Sequence, residues 1–173
     1  MPIATASQTI GPYWHLLEDK SWADLTRFGA QGEKIELIGA VLDTDGKPCA
    51  DACVEIWQAD PPASDAFPGF GRSNTDGRGE YRFITVKPGP VPGRGNSQQA
   101  PHIAICVLSR GLMKGLVTRA YFLGEKLNET DPLLMSIEDP RRRGTLIASA
   151  AGNATWRLDI RLQGEGETVF LDV

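Results

Sequence analysis

A chain of 173 residues with 41% hydrophobic and 23% charged side chains has the size and composition of one globular domain with a sizeable core. Its formal net charge of −4 argues against a nucleic-acid partner, because phosphate binding asks for a basic face. No basic n-region leads an apolar stretch at the N-terminus, and no run approaches the ~20 apolar residues of a membrane helix, so a cytoplasmic chain with no membrane partner is expected.

The predicted elements are mostly strands. Residues 7–15 cannot form a good helix, because Gly11-Pro12 breaks it, yet they are too aromatic for a free tail. An extended arm that packs on something is expected there, with a thin helical signal over 21–28. Residues 35–42 read as a strand, 43–48 as a turn supplied by Asp45-Gly46, and 52–57 as a second strand. Residues 60–74 are rich in Pro, Gly, Ala and Ser and read as an irregular loop. Residues 79–86 alternate, with Tyr81, Phe83 and Thr85 on one face. A second loop, 87–101, holds Pro88, Gly89, Pro90, Pro92, Gly93 and Gly95; such loops are either functional or plain connections. Strands follow over 103–108 and 116–122, and a short helix over 132–137. Residues 156–162 alternate apolar and charged side chains, the mark of a sheet with one wet face, and 168–173 close the chain as a strand. These elements predict a mainly β fold: an antiparallel β-sandwich with long irregular loops, an N-terminal arm and one or two short helices. Residues 1–34 would be the arm and short helix, and 35–173 the sandwich, in a single domain overall.

The chemistry starts from a histidine without a companion. Ala100-Pro101-His102-Ile103-Ala104-Ile105 opens a strand in which residues i and i+2 share a face, so His-x-His there would put two imidazoles on one ion. Position 104 is alanine, and the other histidine of the chain is His15. This chain is poorly equipped to hold a metal alone. Cys49, Cys53 and Cys106 are an odd set in apolar contexts and read as reduced, buried thiols. Trp57 reads as a core or interface aromatic. Arg141-Arg142-Arg143 reads as a solvated helix-ending cluster or a site of intersubunit ion pairing, and Glu165 and Glu167 as structural carboxylates.

Four segments in order resemble the intradiol ring-cleavage dioxygenases: Val54-Glu55-Ile56-Trp57-Gln58-Ala59-Asp60, Thr85-Val86-Lys87-Pro88-Gly89, Ala100-Pro101-His102-Ile103, and the run from Asp159 to Phe170 that closes on Gln-Gly-Glu-Gly-Glu-Thr-Val-Phe. With the arm Ser7-Gln8-Thr9-Ile10-Gly11-Pro12-Tyr13, the likeness runs from Ser7 to the C-terminus and is similar to the non-iron alpha subunits of the family's heteromeric members. The resemblance implies a homologous beta subunit that holds Fe(III) with two tyrosines and two histidines, and a small aromatic acid opened by O2 between its hydroxyl-bearing carbons; protocatechuate would give 3-carboxy-cis,cis-muconate. Phenolate and imidazole donors suit that ion.

Carried over position by position, the ligand set is lost here. Pro61-Pro62-Ala63-Ser64-Asp65 stands where the first tyrosine is expected, Val91 where the second is, and Ala104 where the second histidine is. His102 is a vestigial ligand position, and Gln99 replaces a catalytic arginine. The resemblance therefore implies no metal and no catalytic residue in this chain alone, with the iron in its partner. It implies that Thr9, Ile10, Gly11, Pro12 and Tyr13 wall the partner's substrate cavity. Arg119, in Val117-Thr118-Arg119-Ala120-Tyr121, either reaches a substrate carboxylate or is a solvated strand arginine. A metal-free aromatic-acid binding module and a purely structural assembly subunit are the alternatives.

Overall fold

The computed structural model describes residues 19–172. Eleven strands run through it: β1 Lys34–Leu42, β2 Cys53–Trp57, β3 Phe70–Asn74, β4 Glu80–Val86, β5 Val91–Pro92, β6 Gln98–Gln99, β7 His102–Leu108, β8 Leu116–Phe122, β9 Ile147–Gly152, β10 Thr155–Arg157 and β11 Ile160–Arg161. Two short helices, α1 Pro132–Ser136 and α2 Pro140–Gly144, sit between β8 and β9.

Alternation builds the two layers. Along β4 and β7 every second residue is buried, because successive side chains in a strand point to opposite faces. One layer joins β4, β1 and β10; the other joins β3, β2, β7 and β8. Ile35, Leu37, Val41, Tyr81 and Phe83 from the first meet Val54, Ile56, Ile103, Ile105, Val107 and Phe122 from the second in one core. Phe122 meets Trp156 edge-on across it, with ring centroids 5.1 Å apart. The strand β9 serves both layers: Ile147 and Ala148 pair with β8, and Ser149, Ala150 and Gly152 pair with β10.

The mainly β sandwich is as expected, but its pairing is mixed. The β1–β10, β1–β11 and β8–β9 pairs are parallel, while the antiparallel expectation holds for β1–β4, β2–β3, β2–β7, β7–β8, β9–β10 and β5–β6. The chain returns to β1 from residue 155 onward in the same direction, through Leu158 N to Ile38 O (2.9 Å) and Leu162 N to Leu42 O (2.8 Å).

Other expectations need correction. The 60–74 loop ends in a strand, β3, which lacks apolar alternation and is held by its neighbours: a Cβ on Gly71 would lie 2.5 Å from Leu25 Cδ1 and 2.9 Å from Trp22 O. The 87–101 loop contains the β5–β6 hairpin. Residues 156–162 do not form one strand, because Asp159 leaves the ladder and its Oδ1 accepts the Ala40 N–H at 2.9 Å. Residues 168–172 do not form a strand; they meet β8 through the Val117–Leu171 bridge and through the Thr118 hydroxyl, which donates to Val169 O at 2.8 Å. The helix expected over 21–28 is a 3-10 turn, Lys20–Ala23. No helix among the described residues is long and apolar enough to cross a membrane.

Candidate functional site

The pairing of β7 with β8 sets His102 opposite Tyr121 and Ala104 opposite Arg119. These residues alternate with the core-facing Ile103, Ile105 and Ala120, so they share the layer's outer face. The row continues across β2 and β3, where Ala104 faces Trp57 and Trp57 faces Phe70. Trp57 is 54% exposed and Phe70 39%, and an apolar dent of about 170 Å³ lies among Trp57, Phe70, Ala104, Cys106 and Val117.

His102 sits beside a hydrogen-bonded cluster of Gln99, Arg119, Tyr121 and Asp131. The His102 Nδ1 lies 2.7 Å from Ala100 O; a carbonyl only accepts, so Nδ1 carries the proton. Burial pushes the imidazole below its usual range, and the Arg119 charge adds to this against the Ala100 carbonyl. Its ring lies 5.4 Å from that of Tyr121. Arg119 Nη1 donates to Gln99 Oε1 (2.8 Å) and to the Tyr121 hydroxyl (3.2 Å). The Tyr121 hydroxyl donates to Asp131 Oδ1 at 3.1 Å, and burial raises its pKa, so it stays a phenol.

Asp131 is the residue that sequence reasoning missed. It is fully buried and caps α1, with Oδ1 accepting from Leu133 N (2.9 Å) and Leu134 N (3.0 Å), while Oδ2 accepts from Ala100 N (2.8 Å). An Asp-Pro pair opening a short apolar run is an N-cap signal, and it could have found the residue. Nothing local in the sequence links it to a strand some thirty residues earlier.

The two irregular loops are tied to each other at their starts. Gln58 donates to Val86 O (2.9 Å) and Asp60 O (3.1 Å) and accepts from the Thr85 hydroxyl, while Asp60 Oδ2 accepts from Gly89 N (2.6 Å). Val91 lies in β5 opposite Gln99, which is three residues before His102. That position supplies no donor. Val91 and Ala104 are apolar, and a guanidinium occupies the same face. These residues do not fit an iron ion. Among the described residues no group of three or more His, Cys, Asp or Glu could hold a metal. Thr9, Ile10, Gly11, Pro12, Tyr13 and His15 lie outside the described residues.

The comparisons with known proteins follow the same lines. The family described as dioxygenase matches residues 11–164. The protocatechuate 3,4-dioxygenase alpha chain of Pseudomonas putida is 41% identical, over 97% of this chain and 96% of its own length. The protocatechuate 3,4-dioxygenase beta chain of Burkholderia cepacia is 34% identical over 79% of this chain and 67% of its own. In structure, the dioxygenase domain of a dioxygenase carbohydrate-binding protein fusion from Streptomyces sp. SirexAA-E superposes with a TM-score of 0.65 at 27% identity, covering 92% of this chain and 98% of that one. Fold, ordered motifs and near end-to-end identity agree: the chain belongs to the intradiol ring-cleavage dioxygenase family.

Proposed function

We propose that this chain is the non-iron alpha subunit of a protocatechuate 3,4-dioxygenase, and that with a homologous iron-bearing beta subunit it forms the site that opens protocatechuate with O2 to 3-carboxy-cis,cis-muconate. The observation that carries this is the metal position itself. Donors are missing at Val91 and Ala104, and the space is crossed by the Gln99–Arg119–Tyr121–Asp131 hydrogen bonds, in a chain that aligns almost end to end with alpha chains. The family is iron-dependent; on this reading the Fe(III) belongs to the beta subunit.

This chain's own task is then to bind and orient. Thr9, Ile10, Gly11, Pro12 and Tyr13, in the arm of residues 1–34, would wall the cavity, and the 35–173 sandwich would present Arg119 to the substrate carboxylate. Supporting Arg119 is its lack of any ion pair among the described residues, which leaves a guanidinium suited to an anion. Supporting a protein partner is the exposed apolar pair Trp57 and Phe70 on the same face. A cytoplasmic location goes with this reading. The dent beside Ala104 favours a second reading, an aromatic-acid binding module without chemistry.

Co-production with an iron-bearing beta chain tests the assignment. Oxygen uptake with protocatechuate by the pair, and none by either chain alone, is the expected result; a pair that binds protocatechuate without consuming O2 would favour the binding module. Purified without its partner, this chain should carry no stoichiometric Fe(III). A burgundy preparation with a phenolate-to-iron charge-transfer band would refute that. Gly11→Val in the assembled enzyme should raise KM for protocatechuate with iron content intact, and lower kcat as well if the ring is misplaced. Unchanged kcat/KM would remove the arm from the site and leave a structural subunit.

A further inference from the structure

We propose that Asp131, Tyr121 and Gln99 are positioning residues that aim the Arg119 guanidinium, and through it set the preference for ring-carboxylated catechols over uncharged ones. This rests on the reading of Arg119 as substrate-facing and extends it to residues with no contact to substrate.

An arginine has a long, freely rotating stem, so an unrestrained guanidinium loses several rotamers when it pairs with a ligand. Here one end is already pinned. Both described hydrogen bonds of Arg119 leave from Nη1, to Gln99 Oε1 and the Tyr121 hydroxyl, while Nε and Nη2 take no partner among the described residues. That leaves an edge with the fork geometry a carboxylate accepts.

Each pin is held in turn. Gln99 donates from Nε2 to Pro92 O at 2.9 Å, across the β5–β6 hairpin, which turns its Oε1 toward Arg119. The Tyr121 hydroxyl donates to Asp131 Oδ1, and that carboxylate polarises the phenol into a better acceptor for the guanidinium. Asp131 itself cannot neutralise Arg119 directly, since Oδ1 takes three donors and Oδ2 takes Ala100 N. The phenol therefore hands on the hold without pairing away the charge. A preorganised cation binds its anion at lower entropic cost.

The test uses the enzyme assembled with its iron-bearing partner, with protocatechuate and 4-methylcatechol as paired substrates. Tyr121→Phe keeps the ring and drops the hydroxyl. It should raise KM for protocatechuate about three- to tenfold with kcat within about twofold, and leave kcat/KM for 4-methylcatechol unmoved. Should Tyr121→Phe fail to accumulate, Gln99→Met removes the other pin from a half-exposed position and should shift the ratio in the same direction. Arg119→Gln is the reference variant. If Arg119→Gln lowers the preference and the pin variants do not, the positioning proposal is overturned while Arg119 keeps its role. If Arg119→Gln leaves the preference intact, Arg119 does not face the substrate and both readings fall. Equal losses on both substrates with Tyr121→Phe would mean that the network is merely structural, and would overturn the proposal.

Discussion

Asp131→Ala should cost about 3–5 kcal/mol of folding stability, the sum of a lost N-cap and two buried donors left without an acceptor. The carboxylate serves three elements at once. Without it α1 loses the acceptor for Leu133 N and Leu134 N, the Ala100 N–H at the entry to β7 is stranded, and the Tyr121 hydroxyl loses its acceptor in a fully buried setting. Asp131→Asn should be milder but still costly. It keeps an acceptor oxygen, yet its amide must turn a donor toward either Ala100 N or the α1 amides. Urea unfolding followed by tryptophan fluorescence measures both, and a loss under about 1 kcal/mol for the alanine variant would show that water satisfies these donors equally well.

Gly39→Ala should be at least as damaging, for a steric reason. Gly39 lies in the middle of β1 opposite Tyr81, and a Cβ there would sit 1.8 Å from Leu158 O and 2.7 Å from the Tyr81 hydroxyl. That hydroxyl donates to Leu158 O at 2.6 Å, closing the gap where β10 ends and β11 has not begun. Burial raises the Tyr81 pKa well above the usual phenol range, so the donor persists at any pH at which the protein is handled. A methyl group must push the returning chain off β1, and overpacking of this kind costs about 3 kcal/mol or more where backbone has to move. For a chain of this size that is a drop of roughly 6–12 °C in Tm. Gly144→Ala, at the end of α2 with nothing within 4 Å of its added carbon, is the matched control and should be neutral or slightly stabilising. Scanning calorimetry of the two variants decides it: a Gly39→Ala protein melting within about 2 °C of the parent would mean that the Tyr81–Leu158 closure is soft.

How much of this was legible in the sequence depended on what holds each element. The strands β1, β4, β7 and β8 announce themselves, because alternation and burial coincide along them. The strands β3 and β9 do not. One relies on a glycine pressed against Leu25, the other is Ile-Ala-Ser-Ala-Ala-Gly with mostly exposed side chains, and both exist because neighbours offer them a ladder. The break between β10 and β11 was hidden by a regular apolar–charged rhythm that continues through Asp159, whose side chain bonds the Ala40 N–H. At the site, what is missing could be read from residue identities alone, since Val91 and Ala104 carry no donor. What fills the space could not. Tyr121 looks like any strand aromatic until register sets it over His102, and Asp131 looks like an ordinary cap until its second oxygen reaches Ala100.

The double membership of β9 has a consequence for how the molecule comes apart. Its first residues complete one sheet and its later ones the other, so the boundary between the two layers is crossed by a continuous hydrogen-bonded ladder as well as by packed side chains. Neither layer can peel away without pulling on the other, because one short strand is held by β8 at its start and by β10 along the rest. Partial opening should thus be confined to segments outside this ladder, such as the β7–β8 tip with its exposed Met113, and the two sheets should exchange their amide protons as one cooperative unit.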